Sequence, residues 1–290
     1  MISPKEILKK YRIFPSKRLG QSFLIDKKVL KKIVEVADLS KNDSVLEVGP
    51  GIGNLTIELA KKVKKVIAVE KDERMVEILK ERLEEERIKN VEIVNEDILK
   101  FLPSFKLRRS YKVVANIPYY LTSRLIRNLL EAKRRPRLIV LMIQKEVAQR
   151  ICAKPPKMNL LAVSVQFYSK PEIISFVSKN CFWPRPKVDS AIIKISNIKK
   201  QKATKDEKLF FKIVKAGFSH PRKQLINNPS KGLKKNKKIV EEWLLNCGIS
   251  PDKRAENLSI EEWKRLTISF NLTPLDKYLK KSKNASGGDF

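Results

Sequence analysis

The sequence predicts an α/β protein, in which helices cover a parallel β-sheet and a smaller helical domain follows. Between residues 44 and 195, short runs rich in Val and Ile alternate with longer charged segments of helical periodicity, a pattern typical of such sheets. The chain has 290 residues, more than one ordinary hydrophobic core needs. After residue 197 the composition becomes strongly basic. We therefore expect a main domain over residues 1–200 and a helical domain over residues 201–290, with a frayed end from residue 277.

Five buried strands are predicted in the first domain, at residues 44–48, 66–69, 91–94, 112–115 and 138–143. Helices are expected between them, at residues 54–62, 72–87 and 122–132, because apolar residues recur there every three or four positions. Two further strand-like segments, 172–178 and 190–195, are too close together for a crossover helix. They predict an antiparallel pair that closes the sheet.

The other elements are predicted from shorter patterns. Residues 160–167 remain ambiguous, because Val163, Val165 and Phe167 alternate as in a strand, whereas the order of elements favours a helix. In the second domain, helices are predicted at residues 208–216, 237–246 and 259–270. Ser259 and Glu262 have the spacing of a capping box at the start of the last helix.

The charge of the chain indicates its kind of partner. Lys and Arg number 63 against 32 Asp and Glu, so the net charge is +31, and a polyanion such as nucleic acid is the expected partner. No apolar run could span a membrane and no signal-peptide pattern is present, so we expect a cytoplasmic protein. The three cysteines are widely spaced, and His220 is the only histidine. Disulfides, a metal site and Ser-His-Asp hydrolysis are therefore not expected.

A glycine-rich segment, Glu47-Val48-Gly49-Pro50-Gly51-Ile52-Gly53, follows the first predicted strand. Glycines let such a turn fold tightly and let a ligand approach the backbone. The next two strands end near Glu70 and Asp97, at the same edge of a parallel sheet, where carboxylates can accept hydrogen bonds from ribose hydroxyls. Each feature alone could be a tight turn or a solvated charge. Together they predict a site for a nucleotide-like cofactor.

The segment Asn116-Ile117-Pro118-Tyr119, after the fourth predicted strand, indicates the type of reaction. An exocyclic adenine amine is a poor nucleophile because its lone pair is delocalised into the ring. The Asn116 side-chain oxygen and the Ile117 carbonyl could accept its two protons and favour a tetrahedral nitrogen. Pro118 would stiffen the loop, and Tyr119 offers a flat surface on which a base could stack. An isolated match could equally be a turn filled by an aromatic residue.

In this order, the motifs resemble those of the small-subunit ribosomal RNA adenine dimethyltransferase family, which is related to the Erm resistance methyltransferases. The resemblance runs from about residue 17 to residue 266 and includes segments 17–24 and 182–190. It implies a class I, Rossmann-like methyltransferase that uses S-adenosylmethionine. The implied substrate is N6 of two adjacent adenines in a hairpin near the 3′ end of small-subunit rRNA, with two methyl groups added to each.

The resemblance also implies roles for individual residues. Those expected to contact the cofactor are Gln21, Phe23, Leu24, Glu47, Gly49, Gly51, Gly53, Glu70, Asp97, Ile98 and Asn116. Those expected at the target base are Asn116, Ile117, Pro118 and Tyr119, with Phe182 on the opposite face of the ring. Two positions depart from the family pattern, since Met158-Asn159 replaces a Tyr-Gly pair and His220-Pro221 replaces paired arginines.

The basic residues predict how RNA would be held while a base is extruded. The candidate phosphate-binding residues are Arg134, Arg135, Arg137, Arg222, Lys223, Lys234, Lys235, Lys237 and Lys238. The expected partner is the small ribosomal subunit, and the protein is expected to be a monomer. Two alternatives stay open, namely an Erm-like enzyme acting on large-subunit rRNA and a non-catalytic RNA-binding assembly factor with the same fold. A small-molecule methyltransferase would need neither the charge nor the second domain.

Overall fold

A computed structural model of the protein describes residues 4–105, 110–199 and 205–272. The chain divides into two compact units. The first comprises Met1–Cys152 and Tyr168–Lys200, and the second comprises Ala153–Phe167 and Gln201–Phe290. Residues 153–167, which the sequence places in the main domain, thus pack with the helical residues after 200. The end predicted to be frayed lies outside the described residues.

The first unit contains all nine strands found in the described residues. They are β1 (Phe23–Leu24), β2 (Ser44–Val48), β3 (Lys65–Glu70), β4 (Val91–Asn95), β5 (Lys112–Asn116), β6 (Leu138–Gln144), β7 (Lys170–Val177), β8 (Phe182–Trp183) and β9 (Ser190–Ser196). Seven of them form one sheet in the order β4-β3-β2-β5-β6-β9-β7, and β1 pairs with β8 in a separate ribbon. Strands β2 to β6 are parallel, and β9 runs antiparallel to both neighbours. The positions of the predicted strands and the predicted closing pair are confirmed. The expected burial is wrong for β4, which stands at the edge of the sheet and has no buried residue.

The central strands are buried on both faces of the sheet. Consecutive side chains of a strand point to opposite faces, and in β2 both Val45 and Leu46 are fully buried. This explains why these strands read as continuous apolar runs rather than as alternating ones. The strand order changes direction between β2 and β5, so their carboxyl ends flank the crevice where ligands bind in open α/β sheets.

The helices of the first unit connect the strands. They are α1 (Pro4–Lys10), α2 (Lys27–Val36), α3 (Asn54–Ala60), α4 (Glu73–Glu85), α5 (Ile98–Ser104), α6 (Thr122–Glu131) and α7 (Lys145–Ile151). Predicted helices α3, α4 and α6 are confirmed, whereas α1, α2, α5 and α7 were not predicted. An aspartate that accepts backbone N–H groups starts each of α2, α4 and α5, at Asp26, Asp72 and Asp97.

The second unit is helical. Its elements are α8 (Leu160–Tyr168, whose last residue belongs to the first unit), α9 (Lys205–Gly217), α10 (Asn227–Gly232), α11 (Lys237–Asn246) and α12 (Ile260–Leu272). Trp243 and Trp263 are fully buried in its core. The predicted capping box is confirmed, because the Ser259 N–H donates to Glu262 Oε2 at 2.7 Å and the Glu262 N–H donates to Ser259 Oγ at 3.2 Å.

The ambiguous segment is the helix α8. Ala162, Val163 and Val165 are all buried, and a helix buried on more than one side loses the simple 3.6-residue pattern. The unusual pair before this helix has a structural role, since Met158 is buried and Asn159 Oδ1 accepts a hydrogen bond of 3.0 Å from the Ala162 N–H.

Within the described residues, no helix is long and apolar enough to cross a membrane.

Candidate active site

A cavity of about 850 Å³ lies at the carboxyl edge of the sheet in the first unit. Its wall is formed by the segment before β1, the loops after β2, β3, β4 and β5, and the segment after β8. The volume falls in the range typical of small-molecule sites, roughly 300–1,000 Å³. The cavity therefore occupies the place and has the size expected for a cofactor site.

All but one of the residues predicted for the cofactor and the target base line this cavity. They are Gln21, Phe23, Leu24, Glu47, Gly49, Gly51, Glu70, Asp97, Ile98, Asn116, Ile117, Pro118, Tyr119 and Phe182. The exception is Gly53, which lies outside the wall at the start of α3. A Cβ built there would stand 2.4 Å from Leu79 Cδ1, so this glycine makes room for core packing.

The glycine loop after β2 is held close to the segment above it. Gly49 and Gly51 have φ angles of 66° and 55°, which glycine adopts more easily than other residues. A Cβ on Gly51 would lie 3.0 Å from the ring of Phe23, so a side chain there would press on the cavity wall. The Gly49 N–H donates to the Val69 carbonyl at 2.9 Å and ties the loop to β3.

Glu70, at the end of β3, is buried and fixed by the backbone. Its Oε2 accepts the Gly51 N–H at 3.0 Å, and its Oε1 accepts the N–H groups of Lys71 and Asp72 at 2.8 and 2.9 Å. Burial raises the pKa of Glu70, and these three donors oppose the shift by favouring the ionised form. Because Oε2 accepts only one hydrogen bond within the described residues, it can accept another from a ligand hydroxyl.

Glu47 is less completely hydrogen-bonded than Glu70. Its side chain is 1% exposed, and Oε2 has no hydrogen-bond partner among the described residues. Burial raises the pKa of Glu47 to about 8. A buried oxygen without a partner is costly, and this one belongs to a residue of the cavity wall. A positive charge bound in the cavity would favour the ionised form of this carboxyl group, so the wall fits a cationic cofactor such as S-adenosylmethionine.

Asp97 begins α5 beside β4. One carboxylate oxygen accepts the Leu99 N–H at 3.0 Å, and the other pairs with Lys71 Nζ at 2.8 Å. The hydrogen bond from Lys71 holds the pKa of Asp97 below its usual value. The carboxylate is therefore ionised at neutral pH and available as an acceptor at this end of the cavity.

Arg82 of α4 supports the loop from behind and was not predicted. Its side chain is buried, and Nη1 donates to the Ile52 carbonyl and, at 3.0 Å, to Asn54 Oδ1. Asn54 Nδ2 in turn donates to the Leu24 carbonyl at 3.2 Å. This chain of hydrogen bonds connects α4, the glycine loop and β1. Two walls of the cavity are thus fixed relative to each other through one guanidinium group.

Asn116 ends β5 and turns its amide toward the segment before β1. Its Nδ2 lies 3.4 Å from the Ser22 carbonyl, a long hydrogen bond, while Oδ1 has no hydrogen-bond partner within the described residues. Tyr119 is half-buried, and its hydroxyl is 2.8 Å from Ser190 Oγ. The site therefore combines an open amide oxygen with a tyrosine ring whose position is fixed.

Phe182 faces the cavity less openly than expected. Its side chain is only 4% exposed and belongs to a cluster that includes Leu24, its partner across the β1–β8 ribbon. Trp183, the next residue, is less buried and packs beside Phe23. Phe182 thus contributes both to packing and to the wall, and only a small part of its ring is accessible.

The charges around the cavity are segregated. Glu47, Glu70 and Asp97 lie at one side, at the carboxyl ends of β2, β3 and β4. The other part of the wall carries four exposed cations, Lys17, Arg124, Arg185 and Lys187. We call these four residues the basic collar. They were not predicted as a group, because single cations in loops and on a helix surface do not stand out in a chain with 63 Lys and Arg.

The predicted phosphate-binding arginines of the first unit lie elsewhere. Arg134, Arg135 and Arg137 precede β6, whereas the cavity lies at the end of this strand. Since β6 has seven residues, the two edges are about 20 Å apart. Arg135 stacks on the Tyr168 ring, 4.7 Å from its centroid, and Arg137 pairs with Asp43.

The predicted phosphate-binding residues of the second unit are mostly exposed. Arg222, Lys223, Lys234, Lys237 and Lys238 face solvent, whereas Lys235 is half-buried.

Cys152, Cys181 and Cys247 are free thiols. Among the described residues, no group of three His, Cys, Asp or Glu side chains is placed to hold a metal ion.

Comparisons with known proteins agree with this architecture. The family model described as ribosomal RNA adenine dimethylase matches residues 15–272. A ribosomal RNA small subunit methyltransferase A of Dehalococcoides mccartyi strain CBDB1 is 44% identical over 280 residues, which are 94% of each chain. Its counterpart from Clostridium botulinum strain Loch Maree is 43% identical over 92% of this chain and 98% of the relative.

Solved structures give the same assignment. A dimethyladenosine transferase from Plasmodium falciparum superimposes with a TM-score of 0.74 at 29% identity, over 86% of this chain and 98% of that one. The 23S rRNA methyltransferase ErmE superimposes with a TM-score of 0.71 at 27% identity, over 86% and 99% of the two chains. The fold and the site define a class I, Rossmann-like methyltransferase. Within that class, the chain belongs to the ribosomal RNA adenine dimethylase family.

Proposed function

We propose that the protein uses S-adenosylmethionine to dimethylate N6 of two adjacent adenines in a hairpin near the 3′ end of small-subunit rRNA. The observation that carries this proposal is the open Asn116 Oδ1, in a cavity whose other walls carry Glu47 and Glu70. A hydrogen-bond acceptor for an amine thus shares one cavity with carboxylates suited to a charged nucleoside.

The cofactor would be held by the ends of β2, β3 and β4. Glu70 Oε2 can accept a hydrogen bond from a ribose hydroxyl, and Asp97 can accept one from the adenine amine. Glu47, in the same wall, would favour the positive charge of the cofactor when its carboxyl group is ionised. When bound, S-adenosylmethionine supplies an electrophilic methyl group on a positively charged sulfur.

The target amine would be oriented by the loop after β5. Asn116 Oδ1 and the Ile117 carbonyl accept its two protons, which localises the lone pair on the nitrogen. Tyr119, fixed through Ser190, provides the ring against which the adenine stacks. Phe182 contributes the opposite edge of the binding site. Positioning of this kind lowers the barrier without requiring a general base before the attack.

The small-subunit substrate is favoured over the Erm-like alternative by the relatives. Curated relatives at 43–44% identity carry the name ribosomal RNA small subunit methyltransferase A, whereas ErmE, named as a 23S rRNA methyltransferase, is 27% identical. We also propose that exposed cations of the second unit, including Arg222 and Lys223, contact rRNA phosphates, and that the protein acts as a monomer in the cytoplasm.

The test is to incubate the protein and labelled cofactor with unmethylated 30S and 50S subunits, followed by mass spectrometry of the rRNA. We expect N6,N6-dimethyladenosine at two adjacent positions in 30S rRNA alone. Modification confined to 50S particles would support the Erm-like alternative. Cofactor binding by calorimetry without methylation of either particle would support a non-catalytic assembly factor.

A further inference from the structure

Tyr120 is the exposed aromatic residue at the cavity wall. Its side chain is 61% exposed, although it directly follows the half-buried Tyr119. The ring packs over Gly20, since a Cβ built on that glycine would lie 3.7 Å from Cδ1 and 3.9 Å from Cε1 of the ring. No hydrogen bond from the Tyr120 hydroxyl to a described residue is found. The ring is therefore supported on one side and open to solvent over most of its surface.

The basic collar lines the same cavity. Its four members, Lys17, Arg124, Arg185 and Lys187, are exposed and form no ion pair within the described part of the chain. By contrast, Lys71, which also lines the cavity, is neutralised by Asp97. The collar thus leaves positive charge unpaired around an exposed aromatic ring. This combination is the one that binds single-stranded nucleic acid, with cations on phosphates and a ring under a base.

We propose that Tyr120 stacks on the base next to the target adenine and that the basic collar holds the adjoining phosphates. The inference rests on the proposed function, because it takes the base at Tyr119 as the reacting one. Tyr119 and Tyr120 line the same cavity and are consecutive residues of a short 3₁₀ turn, whose neighbouring side chains project in different directions. The two rings can therefore contact two neighbouring bases. In a substrate with two adjacent adenines, Tyr120 holds the second while the first reacts.

The test uses the full-length protein and a synthetic RNA hairpin with two adjacent loop adenines. Variants Tyr120→Ala and Tyr120→Phe are compared with Phe176→Ala, which removes an aromatic side chain that is 54% exposed on β7, outside the cavity wall. Loss of one stacked base should raise the KM for RNA about 5- to 100-fold in Tyr120→Ala. Tyr120→Phe keeps the ring and Phe176→Ala keeps the site, so both should resemble the wild type. The KM for the cofactor should not change.

Two further readouts separate stacking from a general loss of structure. With 2-aminopurine beside the target, binding should quench fluorescence in the wild type and in Tyr120→Phe but much less in Tyr120→Ala. The Tyr120→Ala variant should also accumulate RNA methylated on only one adenine. Lys187→Ala should lower the slope of log affinity against log salt by about one.

The outcomes distinguish this inference from the proposed function. If the wild type methylates neither the hairpin nor 30S subunits, the proposed function fails and the inference fails with it. If the wild type is active and Tyr120→Ala has an unchanged KM for RNA, the inference alone is overturned. A defect of Tyr120→Ala on 30S subunits but not on the naked hairpin would indicate a contact with a part of the particle outside the hairpin, and it would overturn the stacking role.

Discussion

The two sides of the cavity wall are built differently. At the ends of β2 and β3, Glu47 and Glu70 are buried, and Glu70 is held by three backbone N–H groups. On the other side, the basic collar and Tyr120 are exposed and lack internal partners for their charges or hydroxyl. Contacts within the chain fix the side chains of the first side, whereas those of the second side are left to pair with a bound ligand. Substitutions on the first side should therefore change cofactor affinity and stability, and those on the second should change the handling of RNA.

The largest effect is expected where the two sides meet, at Asn116. In the proposed function, Asn116→Ala removes the acceptor that would orient the amine, so kcat should fall about 100- to 1,000-fold, the scale of losing one group that stabilises a transition state. Calorimetry should show cofactor affinity close to that of the wild type, because the side chain makes only one long hydrogen bond. Asn116→Asp keeps an acceptor and should lose less activity. Near-normal turnover in Asn116→Ala would remove this residue from its role.

The next largest effect is expected at Arg82, which lies behind the cofactor side, the part of the wall that carries Glu47 and Glu70. Arg82→Met leaves the Ile52 carbonyl and Asn54 Oδ1 without their donor, and an unsatisfied buried group costs roughly 1–3 kcal/mol. Burial also lowers the pKa of Arg82, so removing its charge offsets part of that cost. We expect a modest loss of stability but about a tenfold weaker cofactor affinity, equivalent to about 1.4 kcal/mol, because the glycine loop is no longer fixed.

Calorimetry and urea unfolding measure the two quantities separately. Arg82→Lys should restore part of the affinity, since an ammonium group can still donate to one acceptor. Lys80→Met is the matched control, because it removes an exposed cation from the same helix. Equal cofactor affinity in Arg82→Met and the control would show that the loop holds its shape without the guanidinium.

Arg82 also shows what the sequence leaves hidden. Glu47, Glu70 and Asp97 could be predicted because each lies near or just after the carboxyl end of a predicted strand, and parallel strands end at one edge. Arg82 instead lies within a run of charged residues, and its partners are distant in sequence. A signal was present, since Arg82 is spaced three and seven residues from the buried Leu79 and Met75 and so lies on the apolar face of α4. A cation on such a face indicates a buried polar contact.

The predictions for RNA contacts show a second limit. Charge clusters in sequence pointed to Arg134, Arg135 and Arg137, but these precede β6 and so lie at the edge opposite the cavity. The basic collar is assembled from residues far apart along the chain, between Lys17 and Lys187. Only the pairing of β1 with β8 and the position of α6 bring these residues to one cavity. Clusters of Lys and Arg in the sequence therefore indicate that the partner is nucleic acid, but they do not show which surface of the protein binds it.

Glu47 should make the cofactor side sensitive to pH. Because burial raises its pKa to about 8, the folded protein binds this proton more tightly than the unfolded chain does. Its contribution to stability is complete below the ordinary carboxyl pKa, near 4.5, and is lost as pH rises through about 8. Urea unfolding of the cofactor-free protein should show this loss, and Glu47→Gln should reduce it.

Bound cofactor should favour the ionised form of Glu47, whereas the cofactor-free protein favours the protonated form. A positively charged ligand favours the ionised Glu47, so affinity for S-adenosylmethionine should increase from pH 6 to pH 8 in the wild type and change less in Glu47→Gln. Glu77→Gln, on the exposed surface of α4, is the control. Parallel pH profiles for the wild type and Glu47→Gln would mean that Glu47 does not titrate in this range.

The smallest effect is expected at Arg137, away from both sides of the wall. Its partner Asp43 also pairs with the buried Lys112 at 3.1 Å, so Arg137→Gln leaves one cation in place. Since Arg137 is about half exposed, we expect a loss of roughly 0.5–1 kcal/mol at neutral pH. Although burial opposes it, hydrogen bonds and the two cations hold the pKa of Asp43 below its usual value. The loss should therefore disappear as acid protonates Asp43. An unchanged KM for RNA would confirm a structural role, whereas a raised KM would restore Arg137 as a phosphate contact and extend the RNA surface beyond the cavity.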